Sequence, residues 1–147
     1  MAKGDECFFC KVIAGEQGCR KLYEDEAVLS ILDREQMTSD GGEFIPGRCL
    51  VLPKKHVSQL YDLEDEECGK LFVIAKLMAA KINQVFNPDF VTMFFPCQHT
   101  SHIHIVLQPS VENDPVDKVF KDMRLITYFK LAPEELLDDM ARRIRET

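Results

Sequence analysis

Short runs that contain adjacent apolar residues and are bounded by polar turns mark the first half of the chain and predict strands. Two such runs, 21–24 and 28–33, are joined by the acidic pair Asp25-Glu26, which fits a hairpin. The stretch 34–47 is polar and contains Gly-Gly and Pro-Gly pairs, so it predicts a loop. The mostly apolar run 48–53 then predicts a third strand that ends at a proline.

Over residues 64–86 the spacing of apolar residues changes to three and four, which predicts an amphipathic helix. Its apolar face is predicted to carry Leu71, Ile74, Met78, Ile82 and Val85. Asp62 is the predicted N-cap, because acidic residues follow it where the helix dipole favours them. Asn87-Pro88 is predicted to end the helix.

The second half of the chain predicts two more strands, 90–95 and 102–108, and a C-terminal helix that begins near Pro133. Residues 111–130 show no decisive pattern and stay unassigned. Five strands, a long central helix and a C-terminal helix predict an α+β fold with an antiparallel sheet. We expect one domain over residues 1–147, with its core at about 5–110 and a C-terminal extension at 111–147.

Composition and charge restrict the classes of partner. The chain has 147 residues, of which 46% are hydrophobic and 29% are charged, as in ordinary globular proteins. Its net charge of -7 argues against nucleic acid and anionic membranes as partners, because both require a basic surface. The sequence shows no signal peptide and no apolar run of membrane-spanning length, which predicts a cytoplasmic protein.

The candidate chemistry lies in the segment His102-Ile103-His104. Residues two apart in a strand face the same way, so we expect the two imidazoles side by side and Ile103, Ile105 and Leu107 on the opposite, apolar side. Such a pair can ligate a metal, or one histidine can act as a nucleophile whose tautomer the other sets. Two polar residues on a hydrated sheet face are the structural alternative.

Four blocks of the sequence together resemble the histidine-triad (HIT) family, and within it the short branch of nucleoside phosphoramidate and dinucleotide hydrolases. The first is Cys-Phe-Phe-Cys-Lys-Val-Ile-Ala-Gly at 7–15, and the second is Leu-Tyr-Glu-Asp-Glu-Ala-Val-Leu at 22–29 with Ile-Leu-Asp at 31–33. The third is Cys-Leu-Val-Leu-Pro-Lys-Lys-His-Val-Ser-Gln-Leu at 49–60. The fourth is the stretch 98–109 around the two histidines. The resemblance implies the HIT-like fold.

The resemblance implies a role for individual residues. His104 matches the family's nucleophile, His102 the first triad histidine, and His56 the histidine that supports the nucleophile's ring. The implied nucleotide-binding residues are Asp33 for the ribose hydroxyls, Leu29 and Ile31, with apolar residues near Phe44, for the base, and Gln98. A purine nucleotide substrate and a homodimer are also implied, with no organic cofactor.

The implied mechanism is covalent catalysis in two steps. Neutral His104 attacks the α-phosphorus of a phosphoramidate or a dinucleoside polyphosphate, and an amine or a phosphate leaves as a nucleotidyl-histidine forms. Water then hydrolyses the intermediate. We expect a backbone carbonyl or His56 to accept the proton of the other ring nitrogen, which keeps the attacking nitrogen unprotonated.

Two departures from the family pattern predict weak, altered or lost activity. The third triad position is Val106, which cannot donate a hydrogen bond to a phosphate, and we consider His99 as the replacement donor. The preceding loop reads Phe-Phe-Pro-Cys-Gln at 94–98, where the family has glycines. One rival is therefore a degenerate HIT protein that binds a nucleotide or a partner without turnover. Another rival makes His102 and His104 part of a catalytic metal site.

The pair Cys7-x-x-Cys10 has a spacing that allows two thiolates to bind one ion. The resemblance implies a structural zinc held by Cys7, Cys10, His56 and His102. Two free cysteines are the alternative, and a redox pair is a third interpretation that lacks a thioredoxin-like context.

Overall fold

A five-stranded antiparallel sheet with a long helix and a C-terminal helix confirms the predicted α+β fold. The structure is a computed structural model that describes residues 7–96, 101–125 and 130–147. The described strands are β1 (Arg20–Glu24), β2 (Val28–Leu32), β3 (Met37–Thr38), β4 (Phe44–Ile45), β5 (Cys49–Pro53), β6 (Phe90–Phe94) and β7 (Ile105–Ser110). The large sheet has the order β1-β2-β5-β7-β6, and all its neighbouring pairs are antiparallel.

The described helices are α1 (Phe8–Ile13), α2 (Asp65–Phe86), α3 (Pro115–Leu125) and α4 (Glu134–Arg145). By its contacts the chain divides into two compact units, Met1–Asp117 and Lys118–Thr147. The large sheet lies in the first unit and α4 in the second. Among the described helices, none is both long and apolar enough to cross a membrane. The single domain over residues 1–147 stays a prediction.

The predicted hairpin between β1 and β2 is confirmed, and Asp25 organises its turn. One oxygen of the Asp25 carboxylate accepts the backbone N–H groups of Ala27 and Val28 at 2.8 and 2.7 Å. The other oxygen accepts the hydroxyl of Tyr23 at 2.8 Å. These hydrogen bonds lower the pKa of Asp25, and the bond from Tyr23 makes the largest contribution. The turn is therefore built on the charged form of the residue.

The ends of α2 follow from local chemistry, but the predicted N-cap is wrong. Glu64 occupies the cap, and its N–H donates to the Glu67 carboxylate at 3.2 Å. Asp62 lies instead in a short 3-10 turn before the helix. Asn87 ends the helix in the left-handed region, with φ of 48°, just ahead of the proline.

The two faces of the large sheet carry two separate apolar layers. One face packs against the buried side of α2, through Val51, Ile105 and Leu107 of β5 and β7. Of the five residues predicted for this side of α2, the first four are buried, whereas Val85 is 69% exposed because it lies at the solvent side of the last turn. The opposite face packs against α1 and holds the functional residues.

Three further segments differ from the sequence prediction. The predicted loop 34–47 contains the small hairpin of β3 and β4. Its strands have only two residues each and flank a polar, glycine-containing turn, so the sequence pattern indicates a loop. The last strand begins at Ile105 rather than at residue 102, so both histidines precede it. The unassigned stretch 111–130 includes α3.

Candidate functional site

The sheet face that packs against α1 brings the amino-terminal cysteines to the histidines. Phe9 and Val12 of α1 are buried against Leu29, Leu50 and Leu52 of the sheet. Residues three apart on a helix lie on one side, so the same packing directs Cys7 and Cys10 to one place.

The histidine segment is fixed to this face by its backbone. The N–H of Ile103 donates to the carbonyl of Val57 at 2.7 Å, and the hydroxyl of Ser58 donates to the carbonyl of Ser101 at 2.8 Å. These bonds place the segment beside His56. The predicted alternation is confirmed, although the segment precedes the strand β7. Ile103 belongs to the apolar layer that packs against α2. On the other face, the centre of the Phe9 ring lies 5.8 Å from that of the His102 ring and 4.7 Å from that of the His104 ring.

Cys7, Cys10, His56 and His102 form a compact cluster in which all four ligand atoms lie within 4.8 Å of one another. The Cys10 sulfur is 3.2 Å from Nδ1 of His56 and 3.6 Å from Nδ1 of His102, and the Cys7 sulfur is 3.6 Å from the same His102 nitrogen. Tetrahedral zinc with ordinary bond lengths separates sulfur and nitrogen ligands by about 3.5 Å. The donor set and its spacing therefore fit a zinc ion.

The remaining ring nitrogen of His102 defines the tautomer. Nε2 of His102 lies 2.7 Å from the carbonyl oxygen of Pro53, which can only accept, so this nitrogen carries the proton and donates. The lone pair of Nδ1 then faces the two thiols, which is the arrangement that metal-binding histidines use. Burial, together with the neighbouring Cys7, raises the pKa of the Cys10 thiol to about 11. Metal binding would therefore displace a proton.

His104 is 6% exposed and has its own backbone acceptor. Its Nδ1 donates to the carbonyl oxygen of His102 at 3.0 Å, which leaves Nε2 with a lone pair. Burial lowers the pKa of His104, so the neutral ring is favoured. The acceptor is one of the two expected from the sequence, and it leaves His56 and the His102 ring available to the cluster.

A cavity of about 590 Å³ lies in front of His104. Ligand pockets typically have volumes of this order. Its wall includes three arginines and two acidic residues, a local excess of positive charge in a chain whose net charge is -7. These charged wall residues are Arg20, Arg34, Arg48, Asp33 and Glu35. The cavity is therefore suited to an anionic ligand.

The predicted nucleotide-binding residues are distributed unevenly around this cavity. Asp33 and Ile31 line it together with His104. Leu29 is fully buried beneath the wall, because α1 covers it, and it is not among the lining residues. Phe44 is 72% exposed on β4 and is likewise absent from the lining. The predicted base contacts of Leu29 and of the region near Phe44 thus lack support in this cavity.

The remaining predicted residues contribute no donor that the structure describes. Val106 is fully buried within the apolar layer, next to Leu50 in the sheet register. Gln98 and His99 lie outside the described residues. The predicted replacement of the third histidine by His99 stays a prediction.

Sequence reasoning missed Arg48, which lines the cavity. Its Nε donates to Asp33 Oδ2 at 2.8 Å, and its Nη1 donates to Gln108 Oε1 at 3.2 Å. The sequence did contain a signal for Arg48, because side chains two residues apart in a strand point to the same face. Arg48 is therefore on the same face as Leu50 and Leu52, which belong to the apolar layer beneath the cavity. A cation at the end of this apolar row indicates a charged group at the site.

Comparison with known proteins decides the family. The model of the HIT domain matches residues 14–109. The chain belongs to the HIT family. A HIT family protein from Bacillus anthracis has the same fold, with a TM-score of 0.76 and 30% identity over 97% of this chain and 96% of that one.

Two HIT relatives extend the comparison. Protein hit of Bacillus subtilis is 38% identical over 88 residues, which cover 60% of this chain and 56% of the relative. The chain therefore matches little more than half the length of that relative. Adenosine 5'-monophosphoramidase hnt1 of Schizosaccharomyces pombe is 27% identical over 108 residues, 70% of this chain and 73% of the relative. The family thus includes a hydrolase that acts on a nucleotide.

Proposed function

We propose that the chain cleaves a nucleoside phosphoramidate or a dinucleoside polyphosphate through a covalent nucleotidyl-histidine on His104. The observation that carries this proposal is the state of that ring. Its Nδ1 donates to the His102 carbonyl, so the unprotonated Nε2 is the nitrogen available for attack. The cavity in front of it, whose described wall carries three arginines and two carboxylates, supports an anionic substrate.

Ribose and base are assigned to the cavity wall beside His104. Asp33 accepts the ribose hydroxyls: each of its oxygens already accepts one hydrogen bond, from Arg48 and from the Glu35 N–H, and retains a second lone pair. Ile31, which lies nearby on β2, contacts the base. The similarity to the adenosine 5'-monophosphoramidase of Schizosaccharomyces pombe supports an adenine nucleotide, and hence a purine, as the substrate.

The reaction proceeds in two displacements at the α-phosphorus. Nε2 of His104 forms a bond to phosphorus, the bond to the leaving amine or phosphate breaks, and the leaving group takes the electron pair and, for an amine, a proton from solvent. Water then attacks phosphorus, the bond to His104 breaks, and the water gives up a proton. The net reaction consumes one water, and the ring returns to its neutral state. Positioning and charge stabilisation supply most of the catalysis of such transfers.

We propose a structural zinc at Cys7, Cys10, His56 and His102, because their spacing and the tautomer of His102 fit that ion. A bound zinc would supply a cross-link between the two thiolates and the two imidazoles. The His102 ring would then be fixed by the cluster while its carbonyl orients His104. Cluster and nucleophile are thus joined through one residue.

A degenerate, nucleotide-binding protein without turnover is the second candidate, and Val106 favours it. This side chain is fully buried and apolar where the family pattern has a phosphate-binding histidine. The two candidates agree on ligand binding and differ on release of product.

The deciding experiment measures AMP release from adenosine phosphoramidate and from diadenosine polyphosphates, with His104→Ala and Lys70→Gln as variants. Lys70 pairs with Glu66 on the exposed side of α2, so its substitution should leave turnover unchanged. We expect turnover in the wild type, its loss in His104→Ala, and a nucleotidyl adduct on His104 by mass spectrometry after rapid quenching. AMP binding without release in the wild type would establish the second candidate.

The homodimer implied by the family resemblance also stays a prediction. Light scattering coupled to size-exclusion chromatography measures the mass directly, and a single-chain mass would contradict the dimer.

A further inference from the structure

Arg48, one of the three arginines that line the described cavity wall, has a guanidinium that described residues hold on several sides. Asp33 and Gln108 accept its hydrogen bonds, and the ring of Phe94 lies 5.9 Å from its central carbon. The side chains of Arg48 and Asp33 are only 27% and 17% exposed. A guanidinium fixed in this way loses little conformational freedom when it binds an anion.

Gln108, the partner of Arg48, is itself fixed. It is 1% exposed, and its amide nitrogen donates to the carbonyl of Pro109 at 2.7 Å, so the amide oxygen faces Arg48. Gln108 lies two residues beyond Val106 on β7, and the two side chains therefore point to the same face. The side chains that share this face are therefore, in order, His104, the apolar Val106 and Gln108, which orients Arg48.

The two contacts leave N–H groups of the guanidinium without a partner among the residues that the structure describes, because arginine carries several donors in a planar fork. They belong to a side chain that lines the same cavity as His104. An attack at phosphorus places negative charge on the non-bridging oxygens, which need fixed donors. Val106 offers none.

We propose that Arg48 binds the phosphate that His104 attacks and replaces the donor missing at Val106, an inference that rests on the proposed function. Phe94, whose bulk departs from the family's glycine-containing loop, then has a role, since its ring supports the guanidinium. The alternative is that Arg48 only neutralises Asp33, which would otherwise repel a phosphate.

A ratio of two affinities separates these alternatives. AMP and adenosine share base and ribose and differ only in the phosphate, so the ratio of their dissociation constants isolates the phosphate contact. We would measure both by calorimetry for the wild type, Arg48→Gln, Asp33→Asn, the double variant Arg48→Gln/Asp33→Asn and the surface control Lys70→Gln. Circular dichroism and the unfolding midpoint check that each variant is folded.

We expect Arg48→Gln to weaken AMP binding by roughly 10- to 100-fold, the range for a charge-assisted pair, with adenosine binding nearly unchanged. The double variant should remain equally defective for AMP relative to adenosine, because the lost donor is not restored. Arg48→Lys, which is also assayed as a variant that keeps the charge, should recover only part of the loss, since it lacks the fork.

Three results would overturn the inference: unchanged AMP affinity in Arg48→Gln, recovery of AMP affinity in the double variant, or a wild type that binds AMP no better than adenosine. Failure of the proposed function is a separate result. A wild type that binds AMP but releases none from any substrate would refute turnover, and the affinity ratio would still decide whether Arg48 binds the phosphate.

Discussion

Gly47 immediately precedes Arg48, and its replacement by alanine tests how tightly this corner of the site is packed. Its φ of +105° lies in the region that side-chain-bearing residues rarely adopt. A Cβ built there would stand 2.7 Å from Cδ2 of Phe86 and 3.2 Å from Cγ of Pro109. The ring of Phe86, 45% exposed at the end of α2, has room to move, whereas Pro109 lies within β7.

The expected cost combines two contributions. Placing an L-residue at this φ costs about 1–2 kcal/mol, and forcing a methyl group into occupied space costs about 1–3 kcal/mol. The lower entropy of the unfolded alanine chain returns somewhat less than 1 kcal/mol. We therefore expect Gly47→Ala to lower the free energy of unfolding by about 2–4 kcal/mol.

Gly69 offers a matched control, because the same substitution has the opposite sign there. It lies inside α2 with nothing within 4 Å of an added Cβ. Gly69→Ala should stabilise the protein by about 0.5–1 kcal/mol. Urea unfolding, followed by circular dichroism, measures both variants against the wild type. Gly47→Ala with a free energy of unfolding within about 0.5 kcal/mol of the wild type would refute the steric argument.

Three further predictions concern charge, thiols and metal. The pKa of Asp25 is lowered on folding, so its contribution to stability is present above its ordinary value of 3.8 and is lost as pH falls through the folded pKa. The loss of unfolding free energy between pH 6 and 3 should therefore be smaller in Asp25→Asn than in the wild type, and equal slopes would contradict this. Burial raises the pKa of Cys49 to about 12, so a thiol reagent at pH 8 should spare it in the folded protein while it labels Cys19 on the cavity wall, with AMP protecting Cys19. Peptide mapping reads both positions, and labelling of Cys49 at the rate of the urea-unfolded chain would be the contrary result. Removal of zinc by a chelator should lower Tm, and added zinc should restore it. Cys10→Ser should abolish that response, and an unchanged Tm in the chelated wild type would argue against a structural metal.

The sequence by itself determined the sheet, the long helix and the side of the sheet to which the two histidines point. Sequence patterns are local properties, so the first hairpin could be predicted from two apolar runs around an acidic turn, and most of the buried side of α2 from spacing. The alternation around Ile103 was also predictable, because it needs only extended backbone and not a completed ladder. Acidic residues alone did not determine the cap of α2: Glu64 and not Asp62 takes it, because the intervening residues form a separate turn.

The family resemblance had implied which four residues form the cysteine and histidine cluster, but the tertiary structure decided how the site is assembled. Cys10 and His102 are 92 positions apart, and only the packing of α1 on the sheet brings their ligand atoms to 3.6 Å. From the sequence, either a backbone carbonyl or His56 could accept the hydrogen bond of His104. The fold selects the carbonyl, because it fixes the backbone of His102 beside the His104 ring. Arg48 carries a period-two signal in the sequence, but its role depends on Asp33 and Gln108, which come from two other parts of the chain. Periodicity records which way a side chain points, whereas the partner it meets depends on long-range packing.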